Sequence, residues 1–213
     1  MRLHKIGLVP SAKPLTGQQL TIYKTGTRPE VYAVCQGLAF RYVQLTDGRR
    51  QNLAVLLPGD LSLSTLFEEK LHYSVQAVTD LRITQFARAD LKRSLLGDEK
   101  MLEFFGKSYA AEQRHIDELA VDLGRRSAEE RVTRLILSLL NRISGHRIRS
   151  DHPYAFPLLQ RQIADLTGLT SVHVSRMMKE FRNAGLMKLS KRHLTIMDLK
   201  TLEGIAPEMT SIA

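Results

Sequence analysis

The sequence predicts an α+β chain with three parts in order. An antiparallel β-barrel comes first, then one long helix, then a helix-turn-helix followed by a β-hairpin wing. Three observations carry this reading. Short apolar segments separated by turn dipeptides recur over residues 14–95. The apolar period then changes to three and four over residues 98–123. From Gln160 onward, small, glycine and apolar residues fall where two crossed helices joined by a tight turn need them.

The β reading rests on turn signals at Thr16-Gly17, Thr25-Gly26, Gln36-Gly37, Asp47-Gly48 and Pro58-Gly59. Between and beyond them lie Val31-Tyr32-Ala33-Val34, Ala39-Phe40-Arg41-Tyr42-Val43, Leu53-Ala54-Val55-Leu56-Leu57 and Tyr73-Ser74-Val75-Gln76-Ala77-Val78. Such spacing suits an antiparallel barrel or sandwich. Asp47-Gly48 has the form of a tight hairpin turn.

The long helix is marked by Met101, Phe105, Tyr109, Ile116, Leu119 and Leu123, with Glu112 interrupting the seam. One small barrel cannot cover so long an apolar stripe, so pairing with the same helix of a second copy is expected. Gly124 is expected to break the helix. Ser127-Ala128-Glu129-Glu130 then forms a capping box for a second amphipathic helix, which Gly145 ends. These limits divide the chain into a barrel over 1–97, a dimerisation helix over 98–124 and a winged helix-turn-helix domain over 125–213.

Within the helix-turn-helix, Ala164 is small where the second helix crosses. Gly168 supplies a left-handed backbone for the turn. Ile163, Leu169, Val174 and Met177 form the core between the helices, and Thr170 caps the second one. Its outward residues are Ser171, His173, Ser175, Arg176, Lys179 and Arg182. All are polar or basic, which is what a helix lying in the major groove of DNA needs. Two short strands follow Gly185, and Lys191 and Arg192 in the turn between them are placed to meet phosphate.

Charge agrees with that assignment. The net charge is +9; residues 1–123 carry 16 Lys and Arg against 14 Asp and Glu, residues 124–213 carry 15 against 8. The positive field is therefore concentrated where the helix-turn-helix lies, as a polyanion partner requires. No apolar run approaches the roughly 18 residues that span a bilayer, and the amino end lacks the apolar core of a secretion signal. A cytoplasmic protein is expected. The single cysteine, Cys35, excludes an internal disulfide and a four-cysteine iron–sulfur cluster. It reads as a small buried apolar residue, with a redox-sensing thiol as the sharper alternative.

The barrel, the long helix, Arg125-Arg126-Ser127-Ala128-Glu129-Glu130-Arg131 and the winged helix-turn-helix together resemble the Crp/Fnr regulators. The resemblance covers nearly the whole chain. It implies a jelly-roll sensor domain of the cyclic-nucleotide-binding type and a homodimer on a two-fold symmetric DNA site. It also implies contact with RNA polymerase, most often in activation. In the recognition helix the family presents a Glu and an Arg to base edges. Arg176 matches the Arg and Ser175 the Ser before it, while Val172 stands at the Glu position. Val cannot accept from cytosine N4, though it can touch a thymine methyl. His173 and Ser171 suit base or phosphate contacts, and His173 equally suits capping or packing.

The matching effector pocket would comprise Gly59, Asp60, Leu61, Ser62, Tyr73 and Ser74. Here Asp60 replaces the family's Glu, and Tyr73-Ser74 replaces its Arg-Ser. No Arg occurs between Arg50 and Arg82, and Lys70 or His72 would be weak substitutes. A cyclic phosphate without its Arg loses a charge-assisted pair, so no cyclic nucleotide is predicted. Haem stays open, because 7 histidines are present and no spacing marks a ligand. No cofactor or metal is predicted. No nucleophile motif or P-loop appears, and Asp60, Glu68 and Glu69 read as solvated or structural, which argues against an enzyme. A ligand-sensing module acting through a protein partner is the second reading.

Overall fold

The computed structural model describes residues 21–23, 26 and 30–207. The expected turn at Thr16-Gly17 and residue Thr25 lie outside the described residues. The chain divides into two compact units, Met1–Ile116 and Asp117–Ala213.

In the first unit, strands β1 (Thr21–Tyr23), β5 (Ser74–Ala77), β3 (Ala39–Gln44) and β4 (Arg50–Leu56) form an antiparallel sheet in that order. A second, two-stranded sheet pairs β2 (Val31–Gln36) with β6 (Arg82–Phe86). Alternate residues of β2 enter different cores. Val31 and Ala33 pack with Leu63, Leu66, Phe86, Leu91 and Phe105. Tyr32 and Val34 pack with Leu71, Tyr73, Val75 and Ile83. Successive strand side chains point to opposite faces, so a strand buried on both faces must be apolar throughout. That is why Val31–Val34 reads as an unbroken apolar run.

Gly37 turns β2 into β3 with φ 82°, and a Cβ there would lie 1.9 Å from the Asp80 carbonyl oxygen. Only glycine fits. The loop joining β3 to β4 closes through the Leu45 and Gly48 amides, the latter with φ 88°, as the Asp47-Gly48 signal predicted.

Residues 88–97 are not β. They form helix α1 (Arg88–Gly97), with Asp90 in its first turn. Leu91 and Leu95, four residues apart, pack on the core that holds Val31 and Ala33, and an acidic residue in the first turn suits the helix dipole.

Helix α2 (Glu99–Arg125) runs through Gly124 rather than stopping there. Glycine inside a helix costs about 1 kcal/mol, but Asp122 and Arg126 pair across it at 2.6 Å. The stop comes from the next helix, α3 (Ala128–Ser144), whose capping box is formed as expected. The Glu130 amide donates to Ser127 Oγ at 3.2 Å and the Ser127 amide donates to Glu130 Oε2 at 2.6 Å. Gly145 ends α3 in the left-handed conformation, φ 69°.

One part of the predicted dimer stripe is corrected. Met101 and Phe105 are buried within their own subunit, Phe105 in the core shared with β2. Burying such a side chain contributes about 1.5–3 kcal/mol, and periodicity alone cannot say which surface supplies the burial. Leu102, Tyr109, Ile116 and Leu123 are exposed instead, at 60 %, 45 %, 43 % and 38 %, and Leu119 is half-buried. Leu102 was not in the predicted stripe, although it lies one heptad before Tyr109.

The second unit packs α3 with α4 (Gln160–Thr167), α5 (Ser171–Asn183) and α6 (Leu199–Ile205) around a small sheet ordered β7 (Pro153–Ala155), β9 (His193–Ile196), β8 (Met187–Ser190). β8 and β9 are the predicted wing. Its core includes Val132, Ile136 and Leu140 of α3, Ile163 of α4, and Val174 and Phe181 of α5.

Candidate DNA-binding site

The turn between α4 and α5 is built as the residue types require. Gly168 has φ 66°. Its amide and that of Leu169 both donate to the Ala164 carbonyl, closing the end of α4. Ala164 is buried. Thr170 caps α5, its hydroxyl accepting from the His173 amide at 3.2 Å. Arg131 of α3 adds a brace the sequence did not reveal: its Nη1 donates to the Thr167 carbonyl at 2.9 Å. A Cβ on Gly168 would meet Leu123 Cδ2 at 3.1 Å. Leu123 therefore leans on the turn, while still being partly exposed.

Helix α5 separates its two faces sharply. Val174, Met177, Met178 and Phe181 are buried. Ser171, Val172, Ser175, Arg176, Lys179 and Arg182 are exposed, and His173 is half-buried. The exposed residues line an open hollow of about 790 Å³ together with Gln160 and Leu189. The first turn of α5 holds no acidic residue, so its unpaired amides keep the positive character that suits phosphate. Arg176 lies 3.8 Å from Glu180, with both side chains more than half exposed. Such a pair contributes little and leaves the guanidinium able to swing to another acceptor.

At the wing tip, Lys191 and Arg192 hold φ values of 48° and 62°, the left-handed pair of a two-residue hairpin. Both are exposed. Arg192 also donates from Nη2 to the Pro157 carbonyl at 2.9 Å, which ties the wing to the segment before α4.

A charged cluster joins the end of α2 to α3. Asp122 Oδ1 accepts from Arg126 Nη1 at 2.6 Å and from Arg134 Nε at 2.8 Å; Glu118 accepts from Arg134 Nη2 at 2.9 Å. Burial alone would lower the Arg134 pKa, but the two carboxylates outweigh it and raise it. No local motif announces this cluster.

The predicted effector residues are placed differently from one another. Gly59 turns with φ 101°. The Asp60 carboxylate accepts from the Leu57 amide at 2.9 Å, and Leu61 bridges to Ala33. Ser62 is buried, its hydroxyl accepting from the Tyr32 amide at 2.8 Å. Tyr73 and Ser74 are buried in the unit's interior. His72 stands edge-on to the Tyr73 ring, centres 5.1 Å apart, and a guanidinium from a distant strand flanks the same ring. Arg41 of β3 sits with its guanidinium 5.3 Å from the Tyr73 ring centre and pairs with Glu112 of α2. Burial would lower the Arg41 pKa, yet Glu112 reverses this and raises it. Glu112, which interrupts the apolar seam, thus has an internal partner. Cys35 is half-buried, its Sγ 3.3 Å from Thr84 Oγ1.

This fold and this site define a winged-helix DNA-binding protein carrying a β domain of the cyclic-nucleotide-binding type. Residues 18–98 match the cyclic nucleotide-binding domain family, and residues 130–205 match the Crp-like helix-turn-helix domain family. The nitrogen fixation regulation protein FixK of Azorhizobium caulinodans is 30 % identical over 81 % of this chain and 69 % of its own length. The transcriptional activator protein FnrL of Cereibacter sphaeroides is 28 % identical over 86 % of this chain and 75 % of its own. The solved structure of FixK2 from Bradyrhizobium japonicum superposes with a TM-score of 0.79 at 25 % identity, covering 93 % of this chain and 100 % of that one. The chain belongs to the Crp/Fnr family of transcription regulators, not to a family of enzymes.

Proposed function

We propose that the protein is a homodimeric transcription activator that binds a two-fold symmetric DNA site, each copy of α5 reading one half-site. The observation that carries this is the polar and basic outer face of α5, held out by a helix-turn-helix whose inner face is fully buried. Arg176 is the base reader, to guanine O6 and N7. Ser171, Ser175, Lys179 and Arg182 add base or phosphate contacts, and Lys191 and Arg192 of the wing meet the backbone. Pairing of copies runs along the exposed face of α2. Leu102, Tyr109, Ile116 and Leu123 recur every seven residues there, the repeat of a parallel coiled coil. FixK and FnrL are named as regulators or activators, which supports activation and RNA polymerase as the protein partner.

The residues do not fit a cyclic nucleotide. The Arg41 guanidinium beside Tyr73 is paired with Glu112, the Asp60 carboxylate closes its own turn, and Tyr73 is 1 % exposed. We infer a regulator that binds DNA without that ligand.

The test is selection from randomised duplex DNA with the purified full chain, followed by an anisotropy titration across a salt series. Enrichment of a palindrome is expected, bound without added ligand, with log K falling linearly in log salt. Binding indifferent to salt would contradict the phosphate contacts.

A further inference from the structure

Val172 is 77 % exposed on the first turn of α5. Every other large apolar side chain of that helix is buried. A lone surface valine is ordinarily unremarkable. This one lines the same hollow as Ser175, Arg176, Lys179 and Arg182, on the turn by which a recognition helix enters the major groove.

Valine has neither donor nor acceptor. Set against a guanine, adenine or cytosine edge, it would strip water from a polar atom and return no hydrogen bond. The thymine C5 methyl is the apolar group that the major groove presents. We propose that Val172 reads a thymine through that methyl, next to the guanine read by Arg176. Val172 and Arg176 are four residues apart, so their Cβ atoms lie about 5–6 Å apart on one helix face. One base step along a strand is about 3.4 Å. The thymine therefore falls within two base pairs of the guanine. The inference rests on the DNA-binding reading of α5 and adds its second specificity residue.

Replacing thymine by deoxyuridine removes the methyl and leaves base pairing intact. On the selected duplex, each thymine is exchanged in turn, symmetrically in both half-sites, and the full-length protein is titrated by anisotropy. One position within two base pairs of the guanine is expected to lose about fourfold in affinity per half-site, about fifteenfold for the pair, as for a buried methyl-sized group. Val172→Ala should lose that sensitivity while keeping the guanine preference. Val172 is exposed and touches no core, so the variant keeps its fold, which retained non-specific binding would verify. Equal affinity for thymine and deoxyuridine duplexes at every such position overturns the inference, as does an undiminished penalty in Val172→Ala. Failure to enrich any duplex instead overturns the DNA-binding reading beneath it.

Discussion

Arg176 stands on the outer face of α5 with only a weak tie to Glu180 at 3.8 Å. Replacing it by Ala should cost about 1–3 kcal/mol of discrimination at one guanine per half-site. The measurement is affinity for the selected duplex against duplexes changed at single positions. Arg176→Lys should keep the charge and lose the preference, because an ammonium cannot make the planar two-bond contact. A different residue-scale test concerns the Arg41–Glu112 pair, whose side chains are only 10 % and 17 % exposed. Glu112→Gln leaves a buried guanidinium without its counter-charge and should destabilise the protein by about 3–5 kcal/mol in urea unfolding. Replacing both residues by apolar ones of similar size should cost far less. The two sites also differ in how legible they were. Arg176 is fixed by position within one helix, so local pattern found it. Arg41 meets a partner 71 residues away, and no local pattern encodes that meeting; the sequence offered only an oddity, an acid in an apolar seam.

The capping box of α3 is an element whose strength depends on pH. The Ser127 amide, and then its hydroxyl, hold the Glu130 carboxyl below the usual carboxylate range. A depressed folded-state pKa contributes stability above the ordinary value and loses it as pH falls through the depressed one. The stability gap between the native protein and Glu130→Ala should therefore be widest near neutrality and close on acidification, read by urea unfolding across pH. Ser127→Ala should cost about 1 kcal/mol. Caps and turns of this kind were readable because their residues lie within a few positions of each other. Elements whose burial comes from elsewhere were not. Most of α1 falls inside the β region that the turn spacing predicts, since Leu91 and Leu95 gain their core from distant strands. β7 has three residues beginning with Pro153, too few to display a period. Met101 and Phe105 showed the right helical phase, but their burial lies in their own subunit.

At the scale of the whole molecule, avidity is the quantity to measure. On the proposed pairing along α2, two half-site readers gain affinity that neither has alone, commonly by a factor of about 10²–10⁴. Ile116→Glu puts a carboxylate in the middle of the exposed stripe and should yield a monomer in sedimentation. Affinity for the full palindrome should fall at least about a hundredfold, while affinity for a single half-site stays unchanged. Each unit has its own core, and in the first one β2 is sealed on both faces, Val31 and Ala33 on one side and Tyr32 and Val34 on the other. No small opening can wet that strand. The amides of Val31–Val34, held on one side by β6 and on the other by Asp60 and Ser62, should exchange with deuterium only when the whole unit opens, so the slowest isotope clock in the protein reports the lifetime of its amino-terminal fold.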